Sequence, residues 1–90
     1  MFLITIYGKE KEGAYSVRNE EGEQILYIFQ DEDDAVRYAM MLEEDGYPEM
    51  HVIEIEEEIM LKTCQIHGYE YTVITPDDIV VPPNTYYDFI

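Results

Sequence analysis

Three side chains in this sequence have the chemistry to share a metal ion or a reaction: His51, Cys64 and His67. Cys64 and His67 lie three apart near the end of a helical stretch, so one helix face can present both a thiolate and an imidazole to zinc. Zinc needs more than two protein ligands, and His51 supplies a third only if its strand runs alongside. Read instead as nucleophile and base, the Cys-His pair requires a thiol with a lowered pKa, whereas nearby anions raise it. Cys64 therefore reads first as a small buried apolar residue. There is no Cys-x-x-Cys pair, Gly-x-Gly-x-x-Gly, Walker loop or Gly-x-Ser-x-Gly. The expectation is a protein that is not an enzyme and holds no cofactor or metal, with a small metal or thiol enzyme on His51, Cys64 and His67 as the third reading.

Carboxylates offer a second kind of chemistry. Asp31, Glu32, Asp33 and Asp34 form a quartet suited to a hard cation. Consecutive helical positions point in different directions, however, and the quartet lacks the glycine and terminal glutamate of a calcium loop. An N-cap followed by an acidic first turn explains it without an ion. Glu54, Glu56 and Glu58 recur at period two and would form a row spaced by about 7 Å if extended. Such a row would mimic a nucleic-acid backbone, but a helix expected to open at Glu56–Glu58 cuts it short.

Recognition side chains remain. The chain has nine tyrosines, and tyrosine combines apolar area with a polar tip, which suits interfaces. Tyr86, Tyr87 and Phe89 follow Pro82 and Pro83 and stand apart from the expected core. Arg37 and Met41 project from the outer side of the first helix. These five are the candidate partner-binding residues.

The elements that must position these groups follow from periodicity. Phe2–Tyr7 alternates branched and aromatic residues up to Gly8 and reads as a first strand; Ala14–Arg18 and Gln24–Phe29 read as a hairpin about a polar turn with Gly22. A helix is capped by Asp31, repeats Ala35, Tyr38, Ala39 and Leu42 on one face with Val36 on the flank and Met40 at the margin, and stops before Gly46. Met50–Ile55 is a fourth strand, with Ile53 and Ile55 as the better core pair. The second helix opens at Glu56–Glu58, repeats Ile59, Thr63 and Ile66 beside Met60 and Cys64, and ends at Gly68. Tyr69–Thr75 is a fifth strand, and Ile79–Val81 adds a further extended segment before the prolines. The order strand, strand, strand, helix, strand, helix, strand predicts an α+β fold: a mostly antiparallel sheet of about four to five strands with two helices on one face, a ferredoxin-like or split β-α-β variant. Residues 1–83 form a single domain and 84–90 an aromatic tail, folded back or offered to a partner.

Charge bounds the partner. Five Lys or Arg oppose twenty-one Asp or Glu, a net charge of −16 over 90 residues. Lys9, Lys11 and Arg18 oppose Glu10 and Glu12 in residues 1–18, while Arg37 and Lys62 face nineteen acids in residues 19–90, so the two parts carry +1 and −17. Nucleic acid and anionic membrane surfaces are excluded as direct ligands, because both require clustered cations. Ile, Leu, Val and Phe make up 24 of the 90 residues, above the roughly 20 % below which charged chains stay disordered. A single cysteine fits a reducing compartment, and no apolar run approaches the roughly 18 residues of a membrane span. The expectation is a soluble cytoplasmic chain with no targeting segment.

Phe29-Gln-Asp-Glu-Asp-Asp-Ala-Val-Arg-Tyr-Ala, then Leu42-Glu and Gly46-Tyr-Pro, with Cys64, Gly68-Tyr69 and Val80-Val-Pro-Pro, resemble a small protein family of cyanobacteria and plant plastids known only as a domain of unknown function. The resemblance runs from about Phe2 to Pro83. It implies a cytoplasmic or stromal protein of a photosynthetic organism and assigns no catalytic residue.

The leading expectation is a non-catalytic accessory or regulatory module whose acidic surface meets a basic protein partner; the alternative is a nucleic-acid mimic that occupies the basic groove of a DNA- or RNA-binding protein. Sixteen net charges at a mean separation near 20 Å repel by about 25 kcal/mol in unscreened water. A Debye length of about 8 Å at physiological salt leaves about 2 kcal/mol. The thermal midpoint should therefore rise between low and moderate salt, and a flat midpoint in calorimetry over that range would contradict the estimate.

Overall fold

The computed structural model describes residues 1–78, 80 and 82 and the backbone of Tyr87–Phe89. Its elements are β1 (Phe2–Ile6), β2 (Tyr15–Arg18), β3 (Gln24–Phe29), α1 (Glu32–Glu44), β4 (Met50–Glu54), α2 (Glu57–His67), β5 (Glu70–Ile74) and β6 (Tyr87–Phe89), with a short 3-10 turn at Glu10–Glu12. The α+β class and the order of the first seven elements are as the periodicity predicts. The sixth strand comes from residues assigned to the tail; Ile79 and Val81 of the expected extra segment lie outside the described residues.

Local chemistry accounts for the boundaries. Asp31 caps α1 by accepting the Asp33 N–H at 3.0 Å, and Glu32, Asp33 and Asp34 fill the first turn against the positive end of the helix dipole. Asn19 Oδ1 closes the β2–β3 turn by accepting from the N–H groups of Glu21 and Glu23. Gly68 stops α2 at a φ of 69°, where its N–H reaches the carbonyl of Cys64; a side chain there would be strained.

The six strands form one sheet, antiparallel except where β5 runs parallel to β3. Because β5 fills one edge of β3 along Ile25–Phe29, the opposite edge is shared: β2 takes Gln24–Leu26 and β1 meets it at Phe29. β4 flanks β1 and β6 flanks β2. β3 and β4 are both antiparallel to β1, hence parallel to each other, and β3-α1-β4 is a split β-α-β unit around β1.

The two helices lie on opposite faces of this sheet, which corrects the expectation of a single helical face. One core joins Ile4, Tyr15, Val17 and Phe29 to Ala35, Tyr38, Ala39 and Leu42 of α1; the other joins Leu3, Leu26 and Ile28 to Met60 and Cys64 of α2. Connections between parallel strands keep one hand. The chain moves outward across the sheet from β3 to β4 and back from β4 to β5, so a common hand puts the second helix on the second face. Period-two alternation in β3 then buries both parities, Tyr27 and Phe29 towards α1, Leu26 and Ile28 towards α2.

Two further corrections concern core faces. Met60 and Cys64 are the buried residues of α2, whereas Ile59 and Ile66 are 53 % and 76 % exposed. In β4 the buried side chain is Met50, on the α1 side, while Ile53, and Ile55 just beyond the strand, are half-buried against the α2 core. Met60→Ala should therefore cost about 2–4 kcal/mol, and Ile66→Ala no more than about 0.5 kcal/mol, in urea unfolding. Equal losses at the two positions would contradict this orientation of α2.

Candidate functional site

Arg37 is exposed on α1, whereas Met41, expected on the outer side of that helix, is half-buried against the α1 core. With Asp34, Tyr38, Pro76, Asp78 and Val80 they line a cleft of about 210 Å³ between α1 and the segment that follows β5. Asp34 precedes Arg37 by one helical turn, and its Oδ1 receives a guanidinium N–H. The other oxygen, Oδ2, is buried without a hydrogen-bond partner among the described residues. Asp78 is already committed, accepting from the Thr75 N–H at 2.8 Å and hydroxyl at 3.1 Å. Tyr38 is fully buried, and its hydroxyl lies 3.0 Å from that of Tyr15. Burial, then the bond to Tyr15, pushes the Tyr38 phenol far up, so it stays neutral at any physiological pH. The cleft thus offers one ion pair and apolar walls, a surface for contact.

The other sequence candidates are engaged separately. Cys64 lies under α2 with its Sγ 4.0 Å from Met60 Sδ, and burial raises its thiol pKa. His51 is on the outermost strand, its Nδ1 3.0 Å from Glu10 Oε2. The N–H groups of Glu10 and Gly8, and then His51, hold the Glu10 carboxyl below its usual range. His67 stacks on Tyr69 with ring centroids 5.2 Å apart. Among the described residues no three His, Cys, Asp or Glu side chains converge on a point where a metal could sit. Tyr86 lies outside the described residues; the backbone at Tyr87 and Phe89 is folded back as β6 on β2.

The carboxylates face solvent. Of the acids whose side chains are described, all but Glu10 and Asp34 are exposed. Glu54 ends a strand, Glu56 is the N-cap of α2 and Glu58 lies in its first turn, so the period-two row is not an extended one. Glu23 and Glu70 meet where β5 begins alongside β3: a hydrogen bond donated to Glu23, and then the Glu23 charge, hold the Glu70 carboxyl above the usual range, while Glu23, bonded to Glu21, Glu70 and Asn19, lies below it.

Two grooves were not singled out by sequence. Beneath α2 a cavity of about 200 Å³ is walled by Leu3, Leu26, Ile53, Ile55 and Met60, with Cys64 in its lining and the 10–13 turn along one side. A more open cleft of about 330 Å³ runs between α1 and β4, lined by Glu32, Val36, Ala39, Met40 and Glu43 from the helix and by Met50, His51 and Val52 from the strand. Its sequence signal was Val36 and Met40, an apolar pair four apart on the margin of an otherwise polar helix flank.

Residues 2–84 match the model of a family described as Domain of unknown function (DUF3110), and the chain belongs to that family. No curated protein and no solved structure matches it.

A buried thiol with a raised pKa reacts slowly. Cys64 in the native protein at neutral pH should be labelled by an aromatic disulfide reagent at least about 100-fold more slowly than in denaturant. Comparable rates in the two states would return the thiol to the list of reactive groups.

Proposed function

We propose that this protein is a non-catalytic interaction module of a photosynthetic organism, which uses its acidic surface to engage a basic face of a protein partner. The observation that carries the reading is the disposition of charge: −16 in 90 residues, with the described carboxylates on the surface in all but two cases. Self-repulsion of this size costs stability, and a fold that tolerates it gains fast, selective encounter with an oppositely charged surface. Only part of the charge is available for this role, since Glu32, Asp33 and Asp34 serve the start of α1 and Glu57 and Glu58 that of α2. The resemblance to proteins of cyanobacteria and plastids supports the choice of organism, and the segregation of Lys9, Lys11 and Arg18 within the first 18 residues leaves the rest of the surface nearly uniform in sign.

The test is affinity capture from a cyanobacterial lysate at low salt, identification of what elutes at high salt, and direct titration of the purified partner against ionic strength. The expected partner is basic, and its association slows steeply as salt rises. Failure to enrich any basic protein, or an affinity indifferent to salt, overturns the proposal.

A further inference from the structure

Among the described residues β4 ends the sheet and pairs with β1 alone, in the register Phe2↔Glu54 through Ile6↔Met50. The Tyr7 N–H donates to the Glu49 carbonyl at 2.9 Å and the Ile55 N–H to the Met1 carbonyl at 2.8 Å. Bonded and non-bonded pairs alternate along an antiparallel ladder, so Leu3–Ile53 and Thr5–His51 are the bonded pairs between those ends. The backbone groups of Met50, Val52 and Glu54 consequently point away from β1. Glu43 occupies one of them, its Oε2 accepting the Met50 N–H at 2.8 Å. Among the described residues nothing occupies the N–H and C=O of Val52 and Glu54.

An edge left in this state is a template for another strand. Here the α1–β4 cleft lies directly beside it, with Val36 41 % and Met40 56 % exposed. The side chains of an added strand would alternate between faces, those on the α1 side entering the cleft. Charge selects the occupant: Glu32 and Glu43 stand in the cleft wall and Glu54 on the strand itself. A second copy of this chain would bring another −16 to the same place.

We propose that the open edge of β4, with the cleft it forms with α1, receives an extended Lys- or Arg-bearing segment of the partner as an added strand, its apolar side chains in the cleft and its cations on Glu32, Glu43 and Glu54. This rests on the acidic-module reading and adds the place and the mode of contact. Val52 and Glu54 form the two bonded positions, and Glu43, by holding the Met50 N–H, limits how far the new strand extends.

The probe is a synthetic peptide of about ten residues alternating Val with Lys, compared with versions N-methylated along one edge or the other, which keep the charge and lose the strand hydrogen bonds. The unmodified peptide should bind the whole protein at low salt, and at least one N-methylated version should bind about tenfold or more weakly. In the wild-type protein the amides of Val52 and Glu54 should become protected from hydrogen exchange on peptide binding. Val52→Pro removes an outward N–H without breaking a bond to β1 and should lower affinity by a similar factor with an unchanged circular dichroism spectrum; if that variant fails to fold, the wild-type exchange data decide. Equal binding of methylated and unmethylated peptides, or protection elsewhere, overturns the edge proposal and leaves the acidic-module reading standing. No binding of the unmodified peptide overturns the edge proposal while the lysate capture still judges the module. A dimer of the protein alone that protects Val52 and Glu54 overturns it in favour of a second copy.

Discussion

The position of β1 between β4 and β3 is the constraint on which the remaining architecture depends. Both neighbours are antiparallel to it, so both run the same way, and β5 joins them in that direction through its parallel pairing with β3. Two crossovers between like-directed strands, one outward and one returning, cannot share a face if they share a hand. A ferredoxin-like arrangement escapes this because its second crossover joins strands of the opposite direction. The consequence here is a three-layer arrangement in which the sheet is covered on both sides, and a chain of 90 residues has to supply two cores.

The two cores are unequal. α1 buries five residues, and its alanines bring the helix backbone close to the sheet. Tyr15, Tyr27, Phe29 and Tyr38 form an edge-on aromatic cluster beneath it, with ring centroids between 5.4 and 6.5 Å apart, and the Tyr15–Tyr38 hydroxyl bond keeps the polar tips satisfied. α2 buries two residues and leaves a cavity beneath itself. The strong side packs α1 against β1 and β4, and the α1–β4 cleft opens along that contact.

Much of this was legible in the sequence because it is encoded locally. Asp31, the acidic first turn and Gly68 mark helix ends by hydrogen-bond geometry that involves only near neighbours, and the branched and aromatic residues of Phe2–Tyr7 and Gln24–Phe29 mark strands in the same local way. What could not be read was whatever depends on strand order. The face of α2 was misassigned because Ile59, Thr63 and Ile66 make as good a helical stripe as Met60 and Cys64; only the placement of β3 and β5 under the helix decides between them. The same limit hid the cleft at β4, since no local pattern says that a strand from the middle of the chain will end the sheet. Arg37 and Met41 were found because they lie on one helix, while Asp34, which holds Arg37, had been absorbed into the explanation of the N-cap.

The register Phe2↔Glu54 also has a consequence in time. β1 has as its full-length partner a segment about fifty residues away, and Ile25 finds Glu70 across a similar span. Loop-closure entropy must be met before either pairing returns any energy, whereas the β2–β3 hairpin, α1 and α2 form from near neighbours. A topology rich in such distant pairings is expected to fold more slowly than a helical bundle of the same length, because β1 and β4 close the sheet around pieces formed locally. Until they do, the apolar faces of both layers are open to water together, and the dense negative charge that burdens the finished domain then keeps unfinished copies apart.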